Sequence, residues 1–268
     1  MFPFRNILFP TDVSVNEQAA LKYATAFAEH GHGRVVSLTV QDAKEIAQAA
    51  IDHDIDLITV AMRDRTRLSR AFGSSIAEEI VAEAPCAVLA VRPPQRDFVE
   101  EHDGKIEIRL RRVLLATNFR PSSVAATQLA TQMANQLGAE LHAVYVIGDY
   151  FDQFSALFPE GGLAALTRLR SYVQERMGHL SRTGSAEPAT HIAEGRPYQE
   201  IVKLAGTLDA DLIVIGTAVH GSLFGSSQVL GSEIERVIRN APCPVLCVPA
   251  ARVVTPLPAL VTQIVPQT

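Results

Sequence analysis

Cysteine is scarce in this chain. Only Cys86, Cys243 and Cys247 occur among 268 residues. An odd count with no secretory leader argues against a disulfide-stapled secreted fold and points to a reducing compartment. The first four residues, Met1 to Phe4, run straight into an apolar strand without a basic-then-apolar leader. No apolar run reaches the length that crosses a bilayer. Basic residues are not in excess: 24 Lys and Arg stand against 29 Asp and Glu, for a formal net charge of -5. With no long basic run, nucleic acid is excluded as the expected partner. Also missing are the metalloprotease, paired-cysteine, serine-elbow and Walker-type signatures, so no catalytic residue is assigned. The expectation is a cytoplasmic protein with neither a nucleic-acid nor a membrane partner.

Apolar residues make up 47% of the chain. That suffices for a sizeable core and argues against global disorder. The organising stretch is 211–248. An apolar run at 212–215 stops at Gly216, a loop carries Gly221 and Gly225, Gly231-Ser232 opens a short apolar-periodic segment, and Pro242 precedes a second apolar run at 245–248. The order is strand, glycine loop, helix, strand. A loop ending at a helix N-terminus offers unpaired N–H groups and a positive dipole end, which suit phosphate. Ser226, Ser227 and Ser232 add hydroxyls there, and His220 adds an imidazole. Ser232, followed by Glu235 three residues on, also reads as the cap of the last helix.

Residues 56–91 repeat this stretch without its glycines. Pro85-Cys86 answers Pro242-Cys243, Ser74-Ser75 answers Gly231-Ser232, and Asp64 answers Gly221. Upstream, Ile7 to Asp12 is answered by Val113 to Asn118. Continuous apolar runs alternating with helical periodicity indicate a parallel sheet covered on both faces. Strands are expected at 7–9, 35–40, 57–60, 87–91, 112–117, 140–146, 189–192, 212–215 and 245–248. Helices are expected at about 15–30, 43–53, 74–83, 122–137, 162–179 and 197–209, with another after Gly231. The resulting division is 1–95 as a truncated, degenerate domain, 96–109 as a linker, 110–250 as a full domain and 251–268 as an extended Pro-rich tail. Residues 150–158 hold Tyr150, Phe151, Phe154 and Phe158, a lid or a packing patch.

These residues resemble a universal stress protein with two fused copies. The markers are a strand ending in Thr11-Asp12 or Thr117-Asn118, then Gly216-Thr217, Gly221, Gly231-Ser232 and the closing 241–246 segment. The resemblance implies two Rossmann-like domains of the adenine nucleotide alpha hydrolase-like kind. Each would be a three-layer α/β/α unit on a parallel sheet, and the two would be paired by pseudo-two-fold symmetry through the strands at 87–91 and 245–248. It leaves room for a homodimer and for unknown protein partners.

One branch of the family binds ATP through Gly-x-x-Gly, nine residues, then Gly-Ser or Gly-Thr. Gly221 and Gly231-Ser232 match the later part, while the first glycine falls on Ala218. The acidic position after strand one is Asn118, and a backbone contact to adenine falls at Val144 to Val146. The resemblance therefore implies a nucleotide site of Asn118, Val144, Val146, Gly216, Gly221, Gly231 and Ser232. Its ligand is ATP with Mg²⁺, or no ligand at all. In the first half Asp12 keeps the acid, but the loop positions are Ala61, Asp64 and Ser74-Ser75, where a carboxylate repels phosphate. Arg63, Arg65, Arg67 and Arg70 stand near it. A nucleotide-responsive stress regulator is the leading expectation. A nucleotide-independent interaction module is the alternative, and slow ATP hydrolysis comes third.

Overall fold

The computed structural model describes residues 1–11, 17–39, 42–62, 76–93, 95–102, 105–148, 159–180, 188–217 and 230–250. Expectations for Asp12, Asp64, the Arg63 to Arg70 loop, Ser74-Ser75, the 150–158 segment, Ala218, His220, Gly221, Ser226, Ser227 and the 251–268 tail fall outside these residues.

The strands are β1 (Asn6–Thr11), β2 (Arg34–Thr39), β3 (Leu57–Ala61), β4 (Ala87–Val91), β5 (Val99–His102), β6 (Lys105–Ile108), β7 (Arg112–Ala116), β8 (Glu140–Gly148), β9 (Ala189–Gly195), β10 (Leu212–Thr217) and β11 (Val245–Pro249). The helices are α1 (Glu17–Gly31), α2 (Ala43–Asp52), α3 (Ile76–Glu83), α4 (Pro121–Leu137), α5 (Pro159–Leu180), α6 (Pro197–Thr207) and α7 (Ser232–Asn240).

Nine strands form one sheet in the order β2-β1-β3-β4-β11-β10-β7-β8-β9. Neighbours are parallel except at one seam, where β4 and β11 run antiparallel with Val245 opposite Ala90, Leu246 opposite Leu89 and Cys247 opposite Val88. The expectation of two separately folded parallel-sheet domains is therefore corrected. The chain is a single three-layer α/β/α Rossmann-like fold on one continuous mixed sheet. The physical reason lies in the edges. Left alone, β4 and β11 would each present an unpaired row of buried N–H and C=O groups, and pairing satisfies both rows at once. The 87–91 and 245–249 strands are thus neighbours inside one sheet rather than a seam between two domains. The expectation of an intramolecular pairing of two domains is corrected with it.

Alternation along each strand feeds two cores. Ile7, Leu57, Leu89, Val113, Leu115, Val214 and Leu246 face α1, α4 and α5. Leu8, Ile58, Val88, Leu114, Ile213, Ile215 and Val245 face α2, α3, α6 and α7. The central strands are buried on both sides, which is why their sequences read as continuous apolar runs. Cys86, Cys243 and Cys247 are buried free thiols, and burial pushes both Cys243 and Cys247 up to about 12. They serve as small hydrophobes.

One carboxylate device recurs at the amino end of the first strand in each half of the sheet. Asp56 accepts from the amides of Arg5 and Asn6 at 3.1 and 3.0 Å. Asp211 accepts from those of Arg111 and Arg112 at 2.8 and 2.9 Å.

The stretch 96–109 holds a hairpin, with β5 antiparallel to β6. Phe98 and Val99 are buried beside α1, where Phe98 meets Tyr23 at 4.9 Å between ring centroids. Asp97 anchors it, accepting from Lys22 and from the Tyr23 hydroxyl at 2.7 Å each. Burial pushes the Asp97 carboxyl up, but the hydrogen bonds from Lys22, Tyr23 and the Val99 amide outweigh it and hold the group below its ordinary value.

Two predictions follow from this packing. Arg239 on α7 makes a two-pronged pair with the buried Glu78 on α3, at 2.7 and 2.9 Å. Hydrogen bonds to charged groups contribute about 1.5–3 kcal/mol, so Arg239→Met is expected to lower the urea unfolding free energy by about that much. Asp97 has a depressed folded pKa, so its contribution is present above the ordinary carboxylate range and lost as pH falls through it. Asp97→Asn should therefore destabilise the chain at neutral pH, and the gap to wild type should close below about pH 4. Thermal melts across that range measure it.

Candidate functional site

From β7 the chain passes outward through β8 and β9, then returns to β10 on the other side of β7. The switch point of this parallel set lies between the carboxyl ends of β7 and β10, where open α/β sheets bind ligands. The register Ile215 opposite Ala116 sets Gly216 beside Thr117 there.

Asn118 follows directly. Its side-chain Oδ1 accepts from the Ser123 hydroxyl at 2.6 Å and from the Arg120 backbone amide at 3.1 Å, while its backbone N–H donates to Ser123 Oγ at 3.2 Å. The side chain thus shapes the turn into α4. The next residue, Phe119, sits at φ 59, a left-handed conformation unusual for a large side chain. That geometry stacks its ring on Tyr145 at 5.1 Å, with the Arg176 guanidinium 5.3 Å above it. Stacking and cation–π contact offset the backbone cost.

Gly216 has a packing role. A Cβ built there would lie 2.4 Å from the Ser122 carbonyl oxygen and 2.8 Å from the Ser123 nitrogen. The first turn of α4 occupies the space a side chain would need. Val144 is buried, and its carbonyl accepts from the Thr117 amide at 3.0 Å. Val146, two residues on, is half-buried and pairs with Ala193. Of the two, Val146 stands nearer the carboxyl end.

Gly231, rather than Ser232, is the N-cap of α7. Its φ and ψ are -60 and 134, and it provides no side-chain cap hydrogen bond. By contrast, Asp42 caps α2 by accepting from the amides of Lys44 and Glu45 at 2.8 and 2.9 Å. Ser232 is the first helical residue and is exposed, and Glu235 pairs with Arg239 instead of closing a capping box. Among the described residues, a Cβ at Gly231 would meet only Ile234 Cδ1, at 3.9 Å.

Charge around this helix start is mixed. Glu233 accepts from the Tyr198 amide in the first turn of α6 at 3.0 Å and also pairs with Arg236, whose guanidinium lies 5.2 Å from the Tyr198 ring. Arg196 is the N-cap of α6. His191, expected at a strand end, lies inside β9 opposite Val144. Glu233, Tyr198 and Arg236 escaped sequence reasoning because their contact joins two helix starts 35 residues apart. The only local signal was an acid in the first turn of α7.

The fit to an adenine nucleotide is mixed. The start of α7 at Gly231, with no side-chain cap, suits a phosphate. Asn118 offers no carboxylate, and Gly216 is filled by α4. Among the described residues no three His, Cys, Asp or Glu side chains are grouped to hold a metal ion.

A family model described as the universal stress protein family matches residues 40–92 and 109–249, more than half of the chain. The chain belongs to the universal stress protein family. The matched segments fall on one continuous sheet, so the chain is one fold of this family and not two fused copies. It is similar to a universal stress protein of Methanocaldococcus jannaschii, 32% identical over 148 residues, which are 52% of this chain and 81% of that one. A Thermus aquaticus universal stress protein is 33% identical over 139 residues, 51% of this chain and 96% of the relative. Among solved structures, a universal stress protein from Archaeoglobus fulgidus superposes with a TM-score of 0.59 over 91% of this chain and 98% of its own, at 18% identity. A functionally unknown protein from Pseudomonas aeruginosa PAO1 gives 0.63 over 92% of each chain, also at 18% identity. At that identity the likeness speaks for the fold. Among the described residues no helix is long and apolar enough to cross a membrane.

The two described glycines separate packing from ligand access. Gly216→Ala forces α4 off β10 and is expected to cost about 1–3 kcal/mol, as overpacking does. Gly231→Ala has room and an ordinary backbone conformation, so its stability should stay within about 0.5 kcal/mol of wild type. Chemical denaturation of both variants tests the pair.

Proposed function

We propose that this chain is a stress-response regulator that binds ATP, or a related adenine nucleotide, with Mg²⁺ at the carboxyl edge of β7 and β10. Gly221 and Gly231-Ser232 cradle the phosphates, Asn118 and Gly216 shape the floor, and the backbone at Val144 and Val146 meets the base. Binding acts as a switch on surfaces seen by partners, not as fast catalysis. One observation carries the reading: α7 begins at a glycine that supplies no side-chain cap and that, among the described residues, has only Ile234 Cδ1 near its Cβ position. Such a helix start presents N–H groups and a positive dipole end to an anion.

A second reading has its own support. The Asn118 side chain is engaged within its turn, and the space at Gly216 is taken by α4. Both favour a nucleotide-independent interaction module on the same fold. Slow ATP hydrolysis stands behind both, with no general base to assign.

Calorimetric titration with ATP and Mg²⁺ separates the readings. The switch reading expects saturable binding that Gly221→Val and Gly231→Val each abolish, with the Gly231→Val variant still folded. Absence of heat and of any thermal shift at millimolar nucleotide leaves the interaction module.

A further inference from the structure

Away from the carboxyl edge, the outer strands β8 and β9 bring two imidazoles together. His142 Nδ1 and His191 Nε2 are 3.2 Å apart, and the rings lie nearly parallel with centroids 5.4 Å apart. The register explains the meeting. Val144 stands opposite His191, so His142 lies two residues earlier on the same face of β8. β9 is the last strand of the sheet, which leaves the pair at an edge. The His142 side chain is 14% exposed, and its other nitrogen, Nε2, is buried without a hydrogen-bond partner. Glu140 Oε2 stands 3.6 Å from that nitrogen and is itself held by Arg112 at 3.3 Å. The helix over this face, α6, contributes the apolar Ile201, Leu204 and Ala205.

The carboxylate decides the tautomer. A proton on His142 Nε2 faces Glu140, which leaves the Nδ1 lone pair directed toward His191. Imidazoles that bind metals donate the far nitrogen to a carboxylate that fixes the ring; Glu140, 3.6 Å from His142 Nε2, has to close to hydrogen-bond distance to play that part. Spacing agrees. Two nitrogens on one tetrahedral Zn²⁺ at about 2.0–2.1 Å stand about 3.3–3.4 Å apart.

We propose that His142 and His191 form a two-imidazole site for a borderline divalent cation such as Zn²⁺ or Ni²⁺, with Glu140 as the carboxylate behind His142. The cation displaces the contact between the two nitrogens: His191 moves its N–H proton from Nε2 to Nδ1, so both rings bind as neutral imidazoles, and water completes the coordination. A site with two protein ligands at a strand edge exchanges its metal readily. It suits a sensor of free metal more than a structural ion, which takes four protein ligands. By linkage, occupancy pins β9 to β8 and raises stability in proportion to metal concentration.

The test is titration of the untagged full-length chain with ZnCl₂ and NiCl₂ by calorimetry, above the imidazole titration range. One binding event per chain is expected. His142→Asn and His191→Asn should each abolish it, and Glu140→Gln should weaken it by about tenfold or more. Absence of heat, or binding that survives in either histidine variant, overturns the assignment. If a variant fails to fold, the wild-type chain decides the matter. Substoichiometric Cu²⁺ should broaden the amide resonances of residues 142–144 and 190–192 before others, and broadening centred elsewhere overturns the proposal.

Discussion

Three residue pairs, Val245 with Ala90, Leu246 with Leu89 and Cys247 with Val88, hold the sheet in one piece. Without them β4 and β11 would each expose a row of backbone groups flanked by side chains that are almost wholly buried. The cost of such an edge explains why the connections around the seam are so well tied. The Arg96 amide donates to the Pro242 carbonyl at 2.9 Å, and the Arg92 guanidinium donates to the Ala241 carbonyl at 3.0 Å. On the opposite face from α1 and α4, the Glu78–Arg239 pair ties α3 to α7 across the same line. Backbone pairing, main-chain capping and a two-pronged ion pair thus act on a single boundary.

The strands were legible because a parallel sheet buried on both faces needs unbroken apolar runs, and those runs stand out in the sequence. At the outer edge the ends were read short, by two residues at β8 and three at β9, because the last residues there are polar or half-exposed. The joining of the two halves into one sheet was misread. Correspondences between the halves suggested two independent units, yet they record shared local devices, such as Asp56 and Asp211 capping the amino ends of β1 and β7. The hairpin at 99–108 was missed because its strands are four residues each and half charged. Asp103-Gly104 between alternating residues was the available signal.

At the candidate site, the spacing of the sequence did not convey what Gly216 and Ser232 do locally. Gly216 looks like part of a phosphate loop in one dimension. In three dimensions the missing side chain makes way for the Ser122 carbonyl. Ser232 with Glu235 has the spacing of a capping box, but the helix starts one residue earlier than that motif needs, with Gly231 as its N-cap, and Glu235 turns to Arg239. Spacing alone does not say which residue is the N-cap, and that difference decides whether the first N–H groups of α7 are capped from within. The His142–His191 contact was illegible for another reason. The two residues are 49 apart in sequence, and only the β8–β9 register brings them together.

The antiparallel seam also constrains how ligand sites can be arranged. β1 to β4 run one way and β7 to β11 the other, so the carboxyl ends of the two sets lie on opposite rims of the sheet. Thr11 and Ala61 end strands on one rim, while Asn118, Gly216 and the start of α7 gather on the other. A ligand seated at the β7–β10 switch point therefore takes no groups from the carboxyl edge of β1 and β3. Whatever the β7–β10 edge binds, it must hold with groups from its own rim: the uncapped start of α7, the Asn118 turn and the carboxyl ends of β8 and β9.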